Sequence, residues 1–186
     1  VAELHGLPVD YRLGEHNVSD FTTCDLIIAN PAVKPDNRFL RAAQDANVPI
    51  TSEIRLLVAQ LPNRQHTIGI TGSAGKSTTA AMIAHTLKKT SHKVWLGGNI
   101  GGSLLNHLDE IQPEDWVVLE LSSFMLEGLR EDQWSPHLAV VTNLTPNHLD
   151  WHGTYKNYVA AKQVIYEFQH ESDHDIAIAG PNVREV

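Results

Sequence analysis

Cysteine is nearly missing from this sequence: Cys24 is the single one among 186 residues. That excludes an internal disulfide framework and suits a reducing setting, so a cytoplasmic location is expected. Cys24 itself reads as a small buried side chain rather than a reactive thiol. Excess positive charge is missing too. Fourteen Lys and Arg stand against 22 Asp and Glu, a net charge of −8, and Lys88-Lys89 is the one adjacent basic pair. This argues against a nucleic-acid partner, which calls for a basic face. No apolar run reaches membrane length and no signal-peptide pattern opens the chain, so no membrane insertion is expected. Repeats and low-complexity tracts are also lacking. What is present is ordinary globular composition, 42% hydrophobic and 19% charged, enough for a real core. The first residue is Val1 rather than Met, as expected of a piece of a longer protein.

Strand-like and helix-like segments alternate along the chain. "CDLIIA" (24–29) is a short apolar strand ending at the loop "NPAVKPDN". Residues 37–48 carry apolar side chains at helical spacing, "VPIT" is a second strand, and "SEIRLLVAQL" a helix that Ser52 could cap. Pro62-Asn63-Arg64 reads as a linker. A second alternation follows. "HTIGIT" (66–71), "KVWLGG", "DWVVLELSS" (115–123), "HLAVVTNL" (137–144) and "DIAIAG" (175–180) read as strands. "KSTTAAMIAHTLKKT", "GGSLLNHLDEI" and "TYKNYVAAKQVIYEFQ" (154–169) read as helices. The fold class expected is α/β: mostly parallel sheets with flanking helices.

The stretch "GITGSAGKSTT", Gly69 to Thr79, joins a strand to a helix through glycines. The full phosphate-loop pattern, Gly-x-x-x-x-Gly-Lys-[Ser/Thr], would need a glycine where Ile70 stands. The remaining chemistry is intact. Glycines let backbone N–H groups curl around phosphate oxygens, and a helix N-terminus adds positive potential. Lys76 would neutralise phosphate charge and the Ser77 hydroxyl would ligate Mg²⁺.

Other candidates lie further on. Glu120 interrupts an apolar strand near its C-terminal end, where open α/β sheets bind ligands. It is either a Mg²⁺ ligand or a solvated strand-end acid. The polar stretch 140–154 holds Asn143, Asn147, His148, Asp150 and His152. His148 and His152 are four apart, the spacing of a zinc pair on a helix, but Pro146 and Gly153 favour a loop. His148 is better placed to meet a metal or substrate acid as a neutral imidazole. Lys162, beside Ala160, Ala161 and Ile165, reads by default as a surface lysine with its stem laid on apolar neighbours. "GGNIGGS" (97–103) either presents Asn99 to a ligand or merely turns.

Taken together, "TGSAGKST", "GGNIGGSLL", "LELSSFMLE" and "TNLTPNHLDWHGTYKNYVAAK" resemble the Mur ligase family, the ATP-dependent amino-acid ligases of peptidoglycan assembly. The family's phosphate loop has a shorter form, Thr-Gly-x-x-Gly-Lys-[Ser/Thr], which accommodates Ile70. The resemblance implies a partial Rossmann-like N-terminal domain and a P-loop NTPase-like central domain. Residues 1–61 would be the second half of a UDP-binding domain and 66–186 an incomplete ATP-binding domain. A C-terminal amino-acid-binding domain would be absent, and the 186-residue piece alone inactive.

By the same resemblance, Gly72, Ser73, Gly75, Lys76, Ser77 and Thr78 would hold the ATP phosphates. Ser77, Glu120, His148 and Lys162 would serve two Mg²⁺ ions, with Lys162 carbamylated. Lys76, Glu120, His148 and Lys162 would be the catalytic group. Asn30, Pro31, Asn99, Ser122 and His148 would face UDP-N-acetylmuramoyl-L-alanine, to which D-glutamate is added through an acyl phosphate. A monomer is expected. Four departures stand out: Ala74 in place of Asn or His, Met125 of Gln, Asn147 of Asp, and Asn30-Pro31-Ala32 of Ser-Pro-Gly. Ala74 would forfeit a contact near the γ-phosphate, about 0.5–1.5 kcal/mol. These departures leave two alternatives: a non-catalytic or divergent nucleotide-binding paralogue, and a ParA/MinD-like P-loop ATPase suggested by the "GKSTTA" helix.

Overall fold

The computed structural model describes residues 6–183, so the ends of both expected domains, 1–5 and 184–186, lie outside the described residues. Two compact units emerge. One comprises the chain up to Ile27 together with Pro35–Ile50, and the other Ile28–Lys34 with everything from Thr51 onward. In the first, α1 (Val18–Thr22) packs on α2 (Arg38–Asp45) through stacked Phe21 and Phe39 rings 5.0 Å apart. The Asn37 side chain caps α2 by accepting from Phe39 N–H at 2.9 Å. The expected strands at 24–29 and 48–51 shorten to β1 (Ile27–Ile28) and β2 (Ile50–Thr51), which pair as a two-stranded sheet.

The larger unit is built on a five-stranded sheet of β3 (Thr67–Thr71), β4 (Val94–Gly98), β5 (Trp116–Glu120), β6 (Leu138–Val141) and β7 (Ile176–Ala179). Its order is β4-β5-β3-β6-β7, with every neighbouring pair parallel. Period-two alternation assigns the two faces. Ile68, Ile70 and Val118 point to the side covered by α4 (Lys76–Leu87), whose Ala80 and Ala84 allow close approach. Val117, Leu119, Leu121, Ala139 and Val141 point to the other side. There they meet α3 (Glu53–Gln60), α5 (Ser123–Glu131) and α7 (Tyr155–Glu167). Burying one such aliphatic side chain fully is worth about 1.5–3 kcal/mol, more than an exposed ion pair contributes.

Four local readings change. Ser52 occupies the N-cap position of α3, but its hydroxyl makes no capping bond. The stretch at 104–111 closes as a 3₁₀ helix, Leu105–Glu110, rather than an α-helix. The strand expected over 115–123 stops at Glu120, because the Ser122 hydroxyl accepts from Met125 N–H at 3.2 Å and opens α5. The presumed loop around His148 contains a one-turn helix, α6 (Leu149–His152).

At the N-terminal edge of the sheet, charges are matched. Arg64 bonds Asp173 at 2.8 Å, Asp175 at 3.0 Å and the Ser135 carbonyl at 3.2 Å. The Asp175 side chain, 1% exposed, also meets His137 Nδ1 at 2.8 Å and His170 N–H at 2.9 Å. Burial alone would raise the Asp175 carboxyl, but those hydrogen bonds hold it below the usual range.

Candidate active site

Thr71, Gly98, Glu120 and Val141 end four adjacent strands, so their carboxyl ends form one rim. That edge is where open parallel sheets receive ligands. An open cavity of about 340 Å³ lies there, lined by Asn30, Pro31, Gly72, Ser73, Lys76, Asn99, Ser122, Met125, Asn147, His148 and Lys162 among others. Most of the expected site residues therefore share one space. Gly75, Ser77, Thr78 and Glu120 do not line it: the first three sit exposed at the start of α4, and Glu120 is buried.

The glycine loop leaves β3 at Gly72, with φ 144°. A Cβ there would overlap the Thr142 hydroxyl, so only glycine lets the loop pass β6. Gly98 is similarly constrained: φ is 87°, and a Cβ would strike the Glu120 carbonyl oxygen. That close approach brings Asn99 N–H to the same carbonyl at 2.8 Å. It also brings Asn99 Nδ2 to Glu120 Oε1 at 3.1 Å.

Ser73 is committed within the protein. Its Oγ donates to the Thr145 carbonyl at 2.9 Å and accepts from Thr145 N–H at 2.9 Å. The Tyr158 hydroxyl, at 2.8 Å, must then be the donor. Tyr158 is 1% exposed, and burial raises its pKa. One helical turn along, Lys162 Nζ lies 5.0 Å from the Tyr158 ring centroid. Lys162 is not the surface lysine its neighbours suggest: it is 3% exposed. Burial, reinforced by nearby Lys76 and opposed by Glu120, lowers its pKa to about 7.

Glu120 is 1% exposed, so the solvated-acid alternative fails. Its Oε2 is buried with no hydrogen-bond partner, the one such side-chain atom among the described residues. A buried, unpartnered carboxylate oxygen costs several kcal/mol unless a cation completes it. No three His, Cys, Asp or Glu side chains cluster as a metal cage among the described residues. A cation beside Glu120 would thus draw its remaining oxygens from water or substrate, the habit of Mg²⁺ rather than Zn²⁺.

His148 is held in the left-handed region, φ 51°, with its N–H on Asn147 Oδ1 at 2.9 Å. The amide at 147 thus supports the backbone of His148. The His148 ring rests 5.0 Å from Phe124, which stacks on His152. His152 is buried, its Nε2 2.9 Å from Ser123 Oγ, and burial lowers its pKa. Met125 is 9% exposed and joins the apolar core, where a methionine fits without an unmet hydrogen bond. Nothing in the structure explains Ala74, whose side chain is exposed.

The sequence profile of the Mur ligase middle domain matches residues 70–184. The chain belongs to the Mur ligase family. Among relatives of this Mur ligase chain, the UDP-N-acetylmuramoylalanine–D-glutamate ligase of Clostridium kluyveri is 40% identical over 171 residues. The alignment covers 92% of this chain and 36% of that one. The corresponding ligase of Roseiflexus sp. is 39% identical over 170 residues, covering 91% and 36%. The chain therefore spans about a third of the length of these relatives. Two solved structures share the α/β fold. The MurF ligase of Thermotoga maritima in complex with ADP has a TM-score of 0.51 at 21% identity, covering 86% of this chain and 46% of that one. MurF of Acinetobacter baumannii has 0.52 at 21%, covering 83% and 39%. Among the described residues of the Mur ligase chain, no helix is long and apolar enough to cross a membrane.

Proposed function

We propose that this chain is part of an ATP-dependent ligase that joins D-glutamate to UDP-N-acetylmuramoyl-L-alanine in peptidoglycan synthesis. The observation that carries the reading is the unpartnered oxygen of Glu120, whose other oxygen is bonded to Asn99, a residue that lines the cavity with Lys76, His148 and Lys162. That both relatives described above are D-glutamate ligases supports the D-glutamate assignment. In this reading, residues 66–186 form the ATP-binding domain and 1–61 part of the UDP-binding one.

The reading gives each residue a part. Lys76 and the N–H groups at the start of α4 bind the polyphosphate. Asn99 and Ser122 orient the muramoyl substrate, with Asn30 and Pro31 toward its nucleotide end. Glu120, His148 and Ser77 would hold Mg²⁺. Bound there, Mg²⁺ supplies charge neutralisation for phosphoryl transfer. Lys162, with its pKa lowered to about 7, has a neutral amine available near pH 7. Its nitrogen can bond to the carbon of CO₂ and release a proton, which turns a cation into a carboxylate-like anion facing the same cavity. The muramoyl carboxylate then attacks the γ-phosphorus, ADP leaves, and the amine of D-glutamate displaces phosphate from the acyl phosphate. Positioning and charge neutralisation are what the chain contributes.

The test is phosphate release by the intact protein with ATP, Mg²⁺, UDP-N-acetylmuramoyl-L-alanine and a panel of amino acids. Release that needs D-glutamate and stops on chelation supports the reading. Preference for another amino acid, or no amino-acid-dependent release, rejects it.

A further inference from the structure

We infer that Asn143 is a positioning residue that sets the shape of the glycine loop, and through it the affinity for a nucleoside triphosphate. The inference rests on the nucleotide-site reading above. Asn143 follows β6, far from the loop in sequence, yet it grips the loop at three points. Its carbonyl accepts from Ser73 N–H at 2.9 Å. Its side-chain Oδ1 accepts from Ala74 N–H at 3.0 Å, and its Nδ2 donates to the Ala74 carbonyl at 2.9 Å. The amide thus pairs with both polar groups of one residue. Thr142 adds a fourth bond, Oγ1 to the Ala74 carbonyl at 2.7 Å.

Only a side chain with a donor and an acceptor side by side can do this. An aspartate would lose the donor and set an anion against a carbonyl; a leucine would offer neither. The paired partners also fix which end of the amide is oxygen. Two consequences follow. The N–H groups of Ser73 and Ala74 are committed to Asn143, while no described hydrogen bond engages those of Gly75, Lys76, Ser77 or Thr78. The grip therefore decides which amides face a ligand. It also acts on the peptide of Ala74 and not on its side chain, so the loop keeps its course whatever residue stands at 74.

The experiment measures ATP dissociation constants and KM for the UDP-linked substrate in the intact protein. The variants are Asn143→Ala, Asn143→Asp and Thr142→Val. Asn143→Ala and Asn143→Asp should weaken ATP binding about tenfold, the equivalent of one net hydrogen bond. KM for the other substrate should not move. Hydrogen exchange at the Ala74 amide should quicken in Asn143→Ala while that of Leu121 in the sheet does not. Unchanged or tighter ATP binding overturns the inference, as does a rise in both constants that tracks the thermal midpoint. Should Asn143→Ala not fold, the near-isosteric Thr142→Val decides in the same way, with a smaller loss expected. Wild-type protein that binds no ATP would refute the nucleotide reading, and the inference with it.

Discussion

Lys162 Nζ lies 3.1 Å from Thr71 Oγ1, and that hydroxyl donates onward to the Leu121 carbonyl at 2.8 Å. A buried lysine is thus attached to the ends of two strands without a carboxylate bonded to it. The proton it would carry is disfavoured first by burial and then by Lys76.

A pH dependence of stability follows. Below pH 7 both folded and unfolded chains hold the proton, and the folded state bears the full cost. Between about pH 7 and 10 only the unfolded chain holds it, so stability rises with pH. Above that window the difference vanishes. Lys162→Met should therefore stabilise the fold by several kcal/mol near pH 6, with a gain that shrinks toward pH 10. Urea denaturation of both proteins at pH 6, 8 and 10 measures it. A gain that is flat with pH would contradict the burial argument.

Glu120→Gln removes the charge but keeps the oxygen that accepts from Asn99. An unpartnered buried amide costs less than an unpartnered carboxylate. The thermal midpoint should hold or rise, while Mg²⁺ affinity falls about 10–100-fold. Calorimetric metal titration with a thermal melt reads both. A large loss of stability would instead make Glu120 a structural residue.

The Ser73–Tyr158 bond is suited to a double-mutant cycle. Tyr158→Phe removes a donor from Ser73, whereas Ser73→Ala leaves a buried phenol unpaired at a cost of about 1–3 kcal/mol. The double variant should cost less than the two singles summed, by about 0.5–1.5 kcal/mol. Strict additivity would mean the hydroxyls do not interact in solution.

Much of this architecture was legible in residue order, for identifiable reasons. β3 and α7 announce themselves by a mostly apolar run and a helical period, and two glycines precede Lys76 in a way few other loops require. α5 was not legible, because Ser122 and Ser123 after an apolar run look like strand until one hydroxyl finds the Met125 amide. Lys162 was misread from its neighbours, since Ala160, Ala161 and Ile165 do not say that their face lies beneath a sheet; only resemblance pointed to it. Asn143 went unassigned because its partner lies 69 residues away, a separation with no periodic signature.

The two edges of the five-stranded sheet differ in how they treat charge. Around Arg64, His137, Asp173 and Asp175 every group has found a partner. At the opposite edge Lys76, Glu120 and Lys162 converge without direct pairing. Lesions at the two edges should then belong to different genetic classes: loss of abundance at one, loss of turnover with normal abundance at the other. A lineage could retire the chemistry and still inherit an intact scaffold.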